Sequence, residues 1–246
     1  APAAGPRARA GPGLRALVGG SMCGRFTLST AADVLQQLFE IDAGPMPALA
    51  PRYNVAPSQD VAVVRAATAA GRREMVLLRW GLVPSWAKDA DIGNRLINAR
   101  SETVADKPAF RSAFVARRCL LPADGFYEWA STDGGKQPYL FRMRTAEPFA
   151  LAGLWETWRP TDGPRLDTCT ILTTAANGVV APVHPRMPVI LPADAYGAWL
   201  DPDNRSREAL QALLRPADDG LLVGFRVDRR VGSPRHDDPG LVKPLD

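Results

Sequence analysis

Between residues 118 and 173 the chain breaks into five short apolar segments, Arg118–Leu121, Gly125–Trp129, Tyr139–Met143, Phe149–Trp155 and Thr168–Thr173, parted by Pro, Gly, Asp and other turn formers. Segments this short cannot supply the apolar stripe of a helix, and their spacing fits strands joined by turns. Further strands are predicted at Arg25–Leu28, at Leu221–Val227, and in a hairpin of Val61–Arg65 and Met75–Trp80 turning at Gly71–Arg72. Helices are fewer. One is expected after Ser29 or Thr30, either of which could cap it, with Val34, Leu35, Leu38 and Phe39 as its apolar face. Two more are expected near Ala193–Leu200 and Ser206–Leu214, and a Pro-rich loop is expected through Asn54, Ala56 and Pro57. No repeat period or long linker divides the pattern. The expectation is a single α+β domain over residues 22–246, β-rich, with a curled, barrel-like sheet core and flanking helices.

Residues 1–21 stand apart from this pattern, being almost wholly Ala, Gly, Pro and Arg with neither helical nor strand periodicity. We read them as a disordered extension, either a start assigned ahead of Met22 or a removable leader. They carry three arginines and no acid, so most of the formal net charge of +4 belongs to them and the rest is near neutral. Bulk charge is therefore no argument for nucleic acid; the placement of individual arginines has to be. Arg, Pro or Gly interrupts every apolar run before the roughly 18 residues a membrane-spanning helix needs. Three cysteines without close pairing disfavour a disulfide framework, and two histidines, His184 and His236, disfavour clustered imidazole metal chemistry.

Four segments carry candidate chemistry. In Met22–Cys23–Gly24–Arg25–Phe26, removal of Met22 would leave Cys23 with a free α-amine. A 1,2-aminothiol has an amine pKa of about 8 and a thiol pKa of about 8.5, so both are partly nucleophilic near neutral pH. An aldehyde would condense with the amine, and the thiol would close a thiazolidine on the imine. A small buried cysteine near a chain start is the plainer alternative. In Ile97–Asn98–Ala99–Arg100–Ser101, alternation would turn Asn98 and Arg100 to one side if the segment is extended, offering an amide and a guanidinium to one ligand. Upstream, Trp80 and Trp86 flank a Pro-bearing loop, with Trp80 the better candidate for the core and Trp86 for stacking on a base. In Gly125–Phe126–Tyr127–Glu128–Trp129, Glu128 is either a carboxylate desolvated among aromatics and fit for proton transfer, or a residue pointing outward between inward neighbours. In Val183–His184–Pro185–Arg186–Met187–Pro188, prolines restrain a histidine beside an arginine, and a neutral His184 could shuttle a proton. Thr173 and Thr174, just upstream, could add a hydroxyl. His236 reads as structural.

Taken together, MCGRF, YNVAP (Tyr53–Pro57), RWGLVPSW (Arg79–Trp86), INARSET (Ile97–Thr103), ADGFYEW and HPRMP occur here in one order. That series closely resembles the SOS-response-associated peptidase family, the abasic-site sensors, from Met22 to the C-terminus. The resemblance implies binding of single-stranded DNA, or of a single-strand to double-strand junction, and covalent capture of the ring-opened abasic aldehyde by an N-terminal cysteine. Carried over by motif, Cys23 is the nucleophile, Asn98 orients it, Glu128 is the acid/base and His184 assists imine formation and reversal. Arg25, Arg100 and Arg186 match phosphate contacts, Trp86 an aromatic wedge, and Asn54 and Thr173 further DNA-binding positions. Ala87 stands where many relatives have a second tryptophan. The resemblance also implies a possible lyase step, no cofactor, no metal, no membrane association, a monomer and a cytoplasmic, nucleoid-associated place in a bacterium. Two rival readings use the same residues: a thiol autopeptidase or protease built on Cys23, His184 and Asn98, and a non-catalytic reader of modified DNA. In the sequence as it stands the nitrogen of Cys23 is an amide. The aminothiol exists only if the chain begins at Met22 or if residues 1–22 are cut away.

Overall fold

The computed structural model of the protein describes residues 24–67 and 71–245. The readings made for residues 1–21, for Met22 and for Cys23, and part of the turn before Gly71, fall outside the described residues. Strand β1 (Phe26–Leu28) leads into helix α1 (Ala32–Leu38), followed by β2 (Arg52–Val55), β3 (Asp60–Ala66) and β4 (Arg73–Trp80). A 3-10 turn over Ala90–Arg95 precedes β5 (Asn98–Arg100) and α2 (Arg111–Ala116). The strand-dense middle forms β6 (Arg118–Ala123), β7 (Gly125–Thr132), β8 (Gly135–Met143), β9 (Phe149–Trp158) and β10 (Leu166–Ala175). The remainder gives β11 (Arg186–Pro188), β12 (Ile190–Leu191), α3 (Tyr196–Leu200), α4 (Arg207–Ala212) and β13 (Leu222–Arg226).

The strands divide between two sheets. In the larger, β4 pairs with β3, β3 with β6, β6 with β9, β9 with β10, and β10 returns to β4, so five strands close a ring. Closure removes the free edges that an open sheet would expose. The smaller sheet runs β13-β8-β7-β1-β2, with every pairing antiparallel. The expected β-rich α+β architecture with a barrel-like core is what the chain adopts. Alternation along the strands fills the space between the sheets with one large core that includes Phe26, Trp80, Leu120, Phe126 and Phe141. A second, smaller cluster of Tyr127, Leu140, Val227, Val231 and Leu241 covers the far face of the smaller sheet.

Two polar anchors hold the short helices and turns. The buried Arg118 donates to the carbonyls of Phe114, Val115, Trp199, Asp201 and Asn204, which ties α2 and α3 to the start of β6. The Asp124 carboxylate accepts the backbone N–H and hydroxyl of both Ser29 and Thr30, at 2.5 to 3.1 Å. That arrangement corrects the expected cap. Ser29 and Thr30 are spent on the turn between β6 and β7, and the N-cap of α1 is Ala31, with no side-chain hydrogen bond. The expected apolar face of α1 also narrows. Leu35 and Phe39 are buried, one turn apart, whereas Val34 and Leu38 are 46% and 40% exposed. The loop expected at Asn54 is likewise strand β2, because β1 offers it an antiparallel partner in register Phe26 to Val55.

The link from the barrel to the site depends on two glycines packed back to back. Gly81 has φ of +131°, and a Cβ there would lie 2.7 Å from the carbonyl oxygen of Gly93. A side chain at Gly81 would meet both backbone strain and a backbone clash. Gly81→Ala is expected to destabilise the fold by about 2–4 kcal/mol, the sum of strain and overpacking. Thermal unfolding of the variant measures this as a lowered Tm.

Candidate active site

Strand β10 assembles most of the candidate site. Its C-terminal half pairs in parallel with β5, matching Ile171 to Asn98 and Thr173 to Arg100, and antiparallel with β11, matching Ala175 to Arg186. The parallel pairing extends at each end: Ile171 N–H donates to the Ile97 carbonyl at 3.2 Å and Ser101 N–H to the Thr173 carbonyl at 2.8 Å. The buried Trp80 indole adds a bond to the Ile97 carbonyl at 2.8 Å, which places Trp80 in the core as expected. Within β5, Ala99 is buried, Asn98 half-buried and Arg100 exposed. Asn98 and Arg100 therefore share the side away from the core, as the alternation predicted.

Glu128 and His184, 56 residues apart in sequence, meet across the two sheets. Glu128 lies on β7 between Tyr127 and Trp129 and is only 2% exposed, so the outward-pointing alternative does not describe it. Register pairs it with Tyr139, on the face that Phe126 and Phe141 turn to the main core. Nδ1 of His184 lies 3.9 Å from Oε1 of Glu128. The same nitrogen lies 3.2 Å from the Arg186 N–H and 3.1 Å from the Arg186 carbonyl oxygen. Unprotonated, Nδ1 accepts from that amide; protonated, it donates to that carbonyl or interacts with the carboxylate. His184 can thus take up or release a proton at Nδ1 without losing a partner, which is what proton shuttling requires.

The three arginines differ in how many donors they leave for a ligand. Arg100 is exposed, and among the described residues its guanidinium has no hydrogen bond or ion pair. Arg186 is forked onto Glu102 through both terminal nitrogens, Nη2 to Oε2 at 2.9 Å, and also donates to the Thr173 carbonyl at 2.7 Å. That fork holds the Glu102 carboxyl below the usual carboxylate range. Thr173 itself is buried, with its hydroxyl 3.4 Å from Nη2 of Arg186. Arg25 neighbours Phe26 and takes the opposite face of the smaller sheet. There Nη1 donates to Asn54 Oδ1 at 2.9 Å and the Val231 carbonyl at 2.6 Å, and Nη2 donates to the Gly232 carbonyl at 3.2 Å.

Asn54 is 0% exposed, and its Nδ2 lies within hydrogen-bond range of the carbonyls of Val231, Ser233 and His236 at 2.8 to 3.1 Å. Its place is behind Arg25, as the clasp of the closing segment; any ligand contact would pass through Arg25. Trp86 is 59% exposed and lines an open cleft with Lys88, Asp91 and Arg95. The carbonyl of Ala87 accepts the indole N–H of Trp158 at 2.7 Å. Sequence reasoning missed Glu102 and Asp124, although each lies inside a quoted motif. Both point their carboxylates at partners far away in the chain, and no local pattern encodes that. Among the described residues no group of three or more His, Cys, Asp or Glu side chains could hold a metal ion. No helix among them is long and apolar enough to cross a membrane.

The sequence profile of the SOS response associated peptidase family matches residues 22–234. The chain belongs to this family. Two relatives in Bacillus subtilis are called abasic site processing proteins: YoqW is 42% identical over 90% of this chain and 99% of its own length. YoaM is 44% identical over 90% of this chain and 97% of its own length. The chicken abasic site processing protein HMCES is 34% identical, over 80% of this chain and 67% of its own. A crystal structure from Bacteroides thetaiotaomicron superposes with a TM-score of 0.82 at 25% identity, covering 91% of this chain and all of the other. For this SOS response associated peptidase family member, the Asn54 clasp yields a direct test. Asn54→Ala strips three carbonyls and Arg25 of a partner, and is expected to cost about 2–4 kcal/mol. Limited proteolysis should then cut first within residues 231–237, whereas the unaltered protein resists there.

Proposed function

We propose that this protein captures abasic sites in single-stranded DNA through Cys23, once Cys23 is the first residue and carries a free α-amine. The observation that carries the proposal is the buried Glu128 carboxylate facing the imidazole of His184 at 3.9 Å, on the strand that pairs with the first described residues. Tyr127 N–H donates to the Arg25 carbonyl at 3.0 Å, and continuing that register sets Gly24 opposite Glu128. Cys23 directly precedes Gly24 in the chain. The names of the relatives, abasic site processing proteins, support the same substrate class.

In the proposed chemistry the amine adds to the aldehyde carbon at C1′, and Glu128 passes the proton that nitrogen loses to the new alkoxide oxygen, which gives the carbinolamine. His184 gives a proton to the departing hydroxyl and water leaves, the remaining nitrogen proton returns through Glu128 to His184, and a neutral imine remains. The Cys23 thiol then gives its proton to the imine nitrogen as sulfur bonds to C1′, closing the five-membered thiazolidine. Asn98 orients the sugar. Arg100 makes the foremost phosphate contact, and Arg186 and Arg25 add the donors their internal bonds leave over. An abasic residue offers no base edge to read, so binding is independent of sequence and sensitive to salt. While the imine persists, the C2′ proton is acidified, and its loss would expel the 3′ phosphate, a lyase side reaction. Trp86 stacks on a nearby base.

The test uses an oligonucleotide with one abasic site, analysed on denaturing gels. Protein beginning at Cys23 should crosslink; the chain carrying residues 1–22 should not, and equal crosslinking by both forms overturns the proposal. Cys23→Ser should give an adduct that survives only after borohydride reduction. A Glu128→Gln variant should crosslink about 10²- to 10⁴-fold more slowly, the range for loss of a general acid/base. Its affinity for the oligonucleotide should stay within about twofold, since the variant keeps every phosphate contact. Cleavage of peptide substrates with no reaction on abasic DNA would instead favour a thiol peptidase.

A further inference from the structure

Across the smaller sheet, Glu128 is directly opposite Tyr139, and Tyr139 is directly opposite Arg226. Residues paired this way in antiparallel strands put their side chains on one face, with about 4.8 Å between neighbouring strands. Glu128, Tyr139 and Arg226 thus form one row, and the Arg226 backbone lies about 10 Å from that of Glu128. The packing agrees with the register. Tyr139 rests on the main core, whereas its neighbours Leu140 and Phe225 belong to the cluster behind the sheet.

The row has the composition of a nucleotide subsite. Phe126, Phe141 and Tyr139 stack in succession, with centroids 5.3 and 6.5 Å apart and ring planes within 22°. Tyr139 is the half-buried outer member of that ladder, so packing beneath it fixes the ring while part of it reaches solvent. Arg226 is exposed, and among the described residues its side chain has no hydrogen bond or ion pair. The nearest acid in sequence, Asp228, is engaged by Arg230 at 3.0 Å. By contrast Arg142, on the other face, is stacked over Phe225 at 5.2 Å. An unengaged guanidinium beside a supported aromatic ring, in line with the acid/base, matches the elements that hold single strands: a cation for the backbone and a π-face for a base.

We propose that Tyr139 and Arg226 form a subsite for the nucleotide flanking the abasic residue, on the side of Glu128 away from β5. Tyr139 stacks on its base and Arg226 pairs with its phosphate. This rests on the capture of abasic DNA proposed above and gives the strand a path from Arg100, over Glu128 and His184, to Arg226. Because the abasic residue has nothing to stack, its neighbour's base supplies the register that sets C1′ over the nucleophile.

The test measures binding by fluorescence anisotropy with protein beginning at Cys23. The probe is a single-stranded oligonucleotide carrying a tetrahydrofuran abasic analogue, which has no aldehyde and cannot crosslink. Arg226→Ala should weaken binding about three- to tenfold and reduce the slope of log affinity against log salt by about 0.7, the value for one phosphate on a single strand. Arg226→Lys should restore most of both. Tyr139→Ala should weaken binding about five- to tenfold while Tyr139→Phe, which keeps the ring under the base and in the core, stays near wild type. On a probe whose flanking bases are also replaced by tetrahydrofuran, Tyr139→Ala and wild type should bind alike. Unchanged affinity and salt slope in Arg226→Ala, or an equal loss for Tyr139→Ala on both probes, overturns the subsite. Crosslinking of a natural abasic oligonucleotide by the wild type is read separately. If it occurs while the subsite variants bind like wild type, capture stands and the subsite falls; if the wild type neither binds nor crosslinks, both fall.

Discussion

Strand β10 is hydrogen-bonded to four other strands, and both the barrel and the candidate site depend on that sharing. Its first half lies between β9 and β4 and closes the ring; its second half meets β5 and β11, which carry Asn98, Arg100 and Arg186. A strand held on both sides cannot slip by one residue without turning Thr168, Cys169, Thr170 and Ile171 to the wrong faces. The groups on its neighbours thereby inherit a fixed spacing. Catalytic constellations need such rigid support, since positional errors of about 1 Å are costly.

The smaller sheet supplies the other wall, and its contribution is chemical as much as geometric. Glu128 is almost wholly out of solvent, and its carboxylate faces the imidazole of His184. The three arginines are graded. Arg100 is open to solvent, Arg186 is clamped by Glu102, and Arg25 is bound up with the closing segment. A phosphate approaching from the side of this pair would therefore meet one unengaged cation, Arg100, and one whose direction is already fixed, Arg186. Fixing direction in advance lowers the ordering cost of binding and favours one strand path over others.

Much of this architecture was legible in the sequence because its signals are local. Short apolar segments between turn formers became strands, Trp80 became core, and alternation through Asn98 and Arg100 survived as β5. The failures arose where a distant partner overrides a local preference. Ser29 and Thr30 are good cap residues, yet Asp124 recruits them both; Asn54 looks like a turn residue, yet β1 pairs with its strand and three carbonyls claim its amide. Val34 and Leu38 follow a helical period but lie outside the narrow stripe that the barrel wall covers. The meeting of Glu128 with His184 was suggested by the family resemblance and by nothing in the spacing of the residues. Tyr139 and Arg226 carried no signal at all, since a pairing register is needed to see that they stand in line with Glu128.

The clasp between Arg25, Asn54 and residues 231–236 joins the beginning of the described chain to its end. During synthesis the early strands leave the ribosome long before their clasp exists. Arg25 and Asn54 thus acquire their final surroundings only once residues 231–236 have been made, and a chain cut short before them would hold both side chains in a different setting. The surroundings of Arg25 are in this way tied to a segment 206 residues further along the chain.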